Sequence, residues 1–432
     1  MATKCAAAVT KTESDTIIIT GGRRLSGSVR LSGTANGSLP ALAACLLMRG
    51  ECRLESLPPV ADIALMLDIL RALGLRVTMA AREIAIIQNE GLKTDTPPAE
   101  LVKKMRGSFY VMGPLLARMG RACVSSPGGC YLGSRPVDYI LDVYRALGAA
   151  TDLSGDTICA STDGLRGAEI ILNPKFRSPG ATFHALLGAV LAKGATVIEN
   201  ASQEPDVISF CHLLEKMGAR VSGMGGATLR VEGVDALEGP CAHKMPSDRL
   251  EGGTFLLAGC ATRGDVRVEE IAPQSLAALL DVLEKAGAQV FREENAIRVA
   301  CPTRPAAVEV ATDPEPGFPT DLQPPLASVL CTARGTSRIE ERIFDDRLRY
   351  ADELAKMGAR ITVEGRVALI EGVESLTRAD LESENIRAGA SLAVAALGAQ
   401  GDSRMTGWHF LERKYDNFRS KLASLGACLS SP

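Results

Sequence analysis

The sequence predicts an α/β protein of two domains, assembled from six copies of one βαβαββ unit. Three observations carry that prediction. The first is self-similarity: an amphipathic helical run, a glycine and a short β-branched stretch recur, with the glycines at Gly74, Gly148, Gly218, Gly287, Gly358 and Gly426. Successive glycines are 74, 70, 69, 71 and 68 residues apart, a regularity that chance does not produce. The second is a second helical run in each unit, nearly apolar all round, as in "HALLGAVLAKG" and "LASVLCTARG". A run apolar on every side belongs inside, whereas one with a charged face covers a surface. The third is length: 432 residues are too many for one core.

The elements follow in order. Each amphipathic run, such as "ALMLDILRALG" or "ISFCHLLEKMG", stops at glycine because a left-handed C-terminal cap costs glycine no Cβ clash, and a strand starts at once. A unit therefore reads strand–helix–strand–helix–strand–strand. No G-x-G-x-x-G follows a first strand, which separates the pattern from a doubly wound nucleotide fold. A strand pair, "TIIITGGRRLSGSVRLSG", precedes the first helix, while the sixth unit ends at its glycine without a closing pair. Giving the N-terminal pair to the last domain closes the pattern. The expected domains are then residues 1–34 with 247–432 and residues 35–246, with a ligand cleft between them.

Composition narrows the function. Net charge is −3, with 23% charged residues, which gives no reason to invoke nucleic acid or an anionic membrane. No apolar run approaches the roughly 18 residues of a spanning helix. The segment "MATKCAAAVTKTESD" has no apolar h-region and reads as a short disordered leader. The 12 cysteines are scattered without a C-x-x-C pair, so a disulfide scaffold and a zinc site are both disfavoured and a reduced cytoplasmic setting is expected. Core packing accounts for eleven of them. Cys130 differs, because "PGGCYLGSRPVD" places it between glycines and five residues before Arg135. A thiol beside a guanidinium has a depressed pKa and reacts readily.

The polar connections include "SGTANGSLP", "KKMRGSF", "KFRSPGAT", "ENASQEPDV", "MPSDRLEGGT", "EPGFPTDLQ", "FDDRLRY", "NIRAGAS" and "ERKYDN". With the cysteine loop, and in this order, they make nearly the whole chain resemble the enolpyruvyl transferases of the UDP-N-acetylglucosamine type. These are relatives of the shikimate-pathway enzyme and share its two-domain inside-out α/β barrel. The resemblance implies addition of a hydroxyl to C2 of phosphoenolpyruvate with protonation at C3, then loss of phosphate. It implies phosphoenolpyruvate and a uridine nucleotide as partners, and no cofactor or metal.

It also assigns residues. Cys130 matches the acid for C3, and should be the first cysteine labelled by the phosphoenolpyruvate-like electrophile fosfomycin. Mass spectrometry finding another cysteine modified first would count against it. Asp321 matches the carboxylate that receives the acceptor proton or positions its hydroxyl. Its alternative is an N-cap for the helix that follows, which predicts that Asp321→Asn spares stability. Asp248 carries the same two readings. Arg106, Arg135, Arg387 and Arg413 match anion-binding positions, where arginine's fork suits carboxylate and phosphate. Pro136, Val137 and Asp138, with Ser178 and Gly180, match the uridine end. Asn36 matches a contact to the acceptor sugar, Ile343 is placed among the substrate-binding positions, and Glu204 matches a cleft-side position without an assigned role.

The chain departs from the pattern at Ala35, where the family has a lysine that meets the phosphate of phosphoenolpyruvate. Further changes are Asn385 for the aspartate of Asp-Leu-Arg and Lys414 for the glycine of Arg-Gly-Tyr. The "SPGAT" loop also gains Lys175 and Arg177. A lost cation at a dianion's site has to be replaced. Lys414 is expected to cover the donor in part, and Arg177 to meet the terminal phosphate of a short nucleotide. This favours UMP as acceptor, as in the nikkomycin and polyoxin pathways. UDP-N-acetylglucosamine and a non-catalytic nucleotide-binding paralogue are the alternatives.

Overall fold

A computed structural model describes residues 15–126 and 137–432. The leader 1–14 and the segment 127–136, with Cys130, Arg135 and Pro136, lie outside the described residues.

All six period glycines do what their spacing predicts. The outer helices Ala61–Ala72, Asp138–Ala146, Pro205–Lys216, Ala277–Lys285, Tyr350–Lys356 and Phe418–Ser424 each end two residues before such a glycine. Its φ lies between 85° and 111° in every case. The next residue's N–H reaches back to the last turn, as in Leu75 N to Leu70 O (3.0 Å) and Ala427 N to Leu422 O (3.1 Å). This is one Schellman closure repeated six times. One glycine of the inner series behaves differently. Gly264 is not left-handed; Arg263 takes φ 58° instead, and a Cβ on Gly264 would lie 2.0 Å from Leu25 O. Glycine is needed there for close approach, not for its dihedral.

The inner helices Ala35–Ala44, Met112–Met119, Pro179–Ala189, Arg249–Ala261, Gln323–Leu330 and Ile386–Gly398 are mostly buried, walled by sheets. They fall into two hydrophobic cores. One is built from residues between Ala35 and Met245, the other from Ile17–Leu31 and Leu250–Ala427. The N-terminal strands both join the second core, but not as a pair. Thr16–Thr20 lies between Asp402–Thr406 and Cys428–Ser430, whereas Ser26–Arg30 runs parallel to Asp265–Glu269 in another sheet. The link cannot turn back as a hairpin because Gly21 N and Gly22 N are bonded to Gly401 O and Leu397 O, each at 3.0 Å.

Of the cysteines expected in the core, Cys5 lies outside the described residues, Cys241 and Cys428 are only half-buried, and two more are not thiols. Cys123 and Cys159 face each other in register on antiparallel strands and form a disulfide, with Cα atoms 4.1 Å apart. Their separation of 36 residues carried no sign of it. No helix among the described residues is long and apolar enough to cross a membrane.

Candidate active site

The chain passes between the two cores twice, side by side. Gly33 and Ser247 bridge antiparallel, Thr34 N donates to Pro246 O and Asp248 N to Ser32 O, both at 2.8 Å. Gly33 is required by contact: a Cβ there would stand 1.7 Å from Ser56 O. Each crossing runs straight into an inner helix with a side-chain cap. Thr34 Oγ1 accepts from Gly37 N (3.3 Å), and Asp248 Oδ1 accepts from Leu250 N (2.9 Å) and Glu251 N (3.1 Å).

Asp248 therefore caps its helix, one of its two predicted readings. While Oδ1 caps, Oδ2 pairs with Lys414 Nζ at 3.2 Å. The same ammonium donates to Asn36 Oδ1 at 3.0 Å. Lys414, carried by the second core, thus reaches the residue beside Ala35, whose own side chain is buried. The side chain of Lys414 is 11% exposed. Next to it, Asp206 accepts from Thr34 Oγ1 (3.1 Å). Arg249 pairs with Glu204 (3.3 Å) and Glu315 (2.8 Å), so Glu204 holds an ion pair across the cleft.

Burial, reinforced by Glu204 and Asp248, lifts the Asp206 carboxyl to about 7. The folded protein thus holds this proton where the unfolded chain, near 3.8, has released it. Stability owed to it is full at low pH and declines as pH rises from about 4 to 7, by about 1.4 kcal/mol per unit. Asp206→Asn should remove that share of the slope while Glu251, also lifted to about 7, keeps its own. Urea unfolding at pH 5, 6 and 7 checks this; equal slopes for variant and parent would exclude it.

A second cluster forms around Asp321. The N-cap of Gln323–Leu330 is Leu322, which makes no side-chain cap, so the capping reading of Asp321 does not hold. Its carboxylate turns to two guanidinium groups instead. Arg387 grips it with both arms, Nε to Oδ1 at 2.8 Å and Nη2 to Oδ2 at 3.0 Å, and Arg347 Nη1 meets Oδ1 at 2.7 Å. Burial pushes this carboxyl up, but Arg387 and then Arg347 outweigh it and hold it well below the usual carboxylate range. Asp321 is thus a fixed anion with little proton affinity in this arrangement. Asn385 caps the helix that delivers Arg387, its Oδ1 accepting from Arg387 N (3.1 Å) and Ala388 N (3.0 Å). Asparagine keeps the cap that aspartate would make and adds no charge.

Arg347 is the residue the sequence reading missed. It lies in the quoted "FDDRLRY", but nothing local marks it among the chain's other arginines. Its side chain is 4% exposed and stacks 4.6 Å above the centre of the Phe344 ring. The loop bearing it is shaped by buried Glu341, which accepts from Thr320 Oγ1, Ile343 N and Phe344 N at 2.9 to 3.0 Å. Ile343 is buried in that loop. Tyr415 lies between the clusters; its phenol is pushed up by burial and feels both Asp248 and Asp321.

The remaining predicted residues are placed as follows. Arg413 crosses the cleft, with Nε to Asp62 Oδ1 at 2.7 Å and Nη2 to Lys104 O at 3.0 Å. Arg106, half-buried, opens the 3-10 turn Arg106–Val111 and helps burial to push His184 down to about 3. Ser178 caps Pro179–Ala189 through Ala181 N (3.3 Å), with Gly180 in its first turn. Val137 and Asp138 start the helix Asp138–Ala146. Arg177, at φ 37°, donates to Gln203 Oε1 at 2.9 Å. Lys414, Asn36 and Asp248 are thus brought together, as are Asp321 and Arg387, while 177–180 is bonded to Gln203 and to its own helix.

Residues 19–422 match the family model EPSP synthase (3-phosphoshikimate 1-carboxyvinyltransferase). The chain belongs to the EPSP synthase family. This enolpyruvyl transferase is 42% identical over 412 residues to UDP-N-acetylglucosamine 1-carboxyvinyltransferase 2 of Carboxydothermus hydrogenoformans, covering 95% of this chain and 97% of the relative. It is 43% identical to the UDP-N-acetylglucosamine 1-carboxyvinyltransferase of Sorangium cellulosum, over 96% and 97% of the two chains. Among solved structures, the enolpyruvyl transferase NikO from Streptomyces tendae superimposes with a TM-score of 0.88 at 27% identity, over 96% of this chain and 98% of that one. EPSP synthase from Acinetobacter baumannii, at 19% identity and a TM-score of 0.75 over 96% and 99% of the chains, shares the fold.

Proposed function

We propose that this transferase moves the enolpyruvyl group of phosphoenolpyruvate to a hydroxyl of UDP-N-acetylglucosamine. The observation that carries the reading is the Lys414 ammonium between Asn36 and Asp248. The preference for UMP rests on the cation missing at position 35 and on Arg177 at the "SPGAT" loop. Lys414, reaching Asn36 from the opposite core, supports the view that the first of these grounds does not exclude the nucleotide sugar. Identity of 41–43% with the curated transferases over nearly the whole chain supports the same acceptor.

In this reading residues 35–246 form one domain and 1–34 with 247–432 the other, with the substrates between them. Lys414 stabilises the departing phosphate, while Arg106, Arg135, Arg387 and Arg413 supply cations for the donor's two anionic groups. Asp321, whose proton affinity is low, orients the acceptor hydroxyl, and Cys130 gives a proton to C3 as the oxygen adds to C2. When the C2–O bond to phosphate breaks, C3 returns a proton to the thiolate and the hydroxyl proton leaves with the phosphate. A second reading, UMP as acceptor, is favoured by the likeness to NikO and by Arg177 at the "SPGAT" loop. Phosphate release from phosphoenolpyruvate with each nucleotide in turn separates them. Release with UDP-N-acetylglucosamine and not with UMP is expected; release with UMP alone overturns the proposal in favour of the second reading.

A further inference from the structure

Residues 413–416 form a strap whose side chains reach both cores. Arg413 reaches Asp62 and Lys104 O, and Lys414 reaches Asn36, all on the first core. Tyr415 points the other way, its hydroxyl 3.2 Å from Thr254 Oγ1 and its ring packed on Phe418. Asp416 turns back to the first core, where Oδ1 accepts from Arg82 Nη2 at 2.6 Å. Arg82 stands at the tip of the hairpin joining Arg76–Ala81 to Ile84–Asn89, far in sequence from every residue assigned above.

The surroundings make this pair more than a surface contact. The Arg82 side chain is 56% exposed, and a pair exposed at both ends contributes roughly 0–1 kcal/mol. The Asp416 side chain, however, is only 7% exposed, so without Arg82 a buried carboxylate loses its closest partner. Its other oxygen accepts from Ser32 Oγ at 3.5 Å, and that hydroxyl itself accepts from Lys421 Nζ at 2.7 Å. Lys421 is itself held by buried Glu251. The hairpin tip is fixed in turn, because Glu83 O accepts from Leu57 N at 2.9 Å, next to the Ser56 carbonyl that abuts Gly33. Tip, crossing strand and strap are one contiguous structure.

We propose that Arg82 is a positioning residue for enolpyruvyl transfer. Its ion pair with Asp416 holds the 413–416 strap against the first core and so places Arg413 and Lys414 in the cleft. The proposal rests on enolpyruvyl transfer and not on which nucleotide accepts the group.

Arg82→Ala, Arg82→Lys, Asp416→Asn and the Arg82→Ala/Asp416→Asn double variant test it, with phosphoenolpyruvate and both UDP-N-acetylglucosamine and UMP as probes. Arg82→Ala should lower kcat/KM for phosphoenolpyruvate about tenfold and also lower the melting temperature, since it leaves the buried Asp416 carboxylate without its closest partner. Arg82→Lys should recover most of the loss, and the double variant should be no worse than the poorer single one. Small-angle scattering of the ligand-free proteins should show Arg82→Ala more extended than its parent. Parental kcat/KM or scattering in Arg82→Ala overturns the proposal, as do additive single effects. If the parent releases phosphate with neither nucleotide, the acceptor reading fails, and scattering alone decides on the strap.

Discussion

Asp321→Asn should reduce turnover by about two or more orders of magnitude and destabilise the fold by up to about 3 kcal/mol. The stability loss runs against what a capping aspartate would show, since asparagine caps equally well. The structure changes the expectation because the carboxylate answers two guanidinium groups. Arg347 is buried and Arg387 largely so, and a neutral amide removes the negative charge that both cations face. The magnitude is kept at the low end because the Asp321 side chain is 20% exposed and water screens part of the loss. Steady-state phosphate release and urea unfolding measure the two effects separately. Turnover like that of the parent would leave Asp321 as a structural anchor for two arginines. Its depressed folded pKa also fixes a sign: the stability it supplies is present above about pH 3.8, the unfolded value, and is lost only as pH falls through the lower folded one. An activity loss between pH 5 and 7 therefore comes from another group.

Lys414→Ala should lower kcat/KM for phosphoenolpyruvate by about a hundredfold, the size of effect seen when one preorganised donor to a developing charge is removed. Capping by Asp248 involves its other oxygen, so the helix Arg249–Ala261 should keep its N-terminus. The decisive variant is Ala35→Lys placed on top of Lys414→Ala. Returning the cation to the first crossing should recover at least tenfold of the lost activity if the two positions serve one site. A folded double variant as poor as Lys414→Ala would show that the lysine at 414 does something other than replace the one absent at 35.

Much of the architecture is written locally. A helix that ends in a left-handed glycine is specified by residues within one turn of each other, so six such endings at a period near 70 were readable as a repeat before any pairing was known. The surplus strands at the N-terminus and the missing ones at the C-terminus were likewise a matter of counting along the chain. Capping was local too, and there the reading divided: a hydroxyl residue and aspartate before a helix are the same signal whether the carboxylate caps, as at Asp248, or turns away, as at Asp321. Only folding decided between them, by bringing Arg347 and Arg387 from 26 and 66 residues away. The same holds for the Lys414–Asn36 contact, 378 residues apart, and for Arg82 and Asp416, 334 apart. Sequence by itself determined the repeated unit, its two kinds of helix and the chemistry its loops resemble, because backbone sterics and hydrophobic period act over a few residues. The charge distribution of the cleft was decided by tertiary structure alone, because Coulomb interactions and desolvation depend on distance through space and on burial, neither of which chain order records.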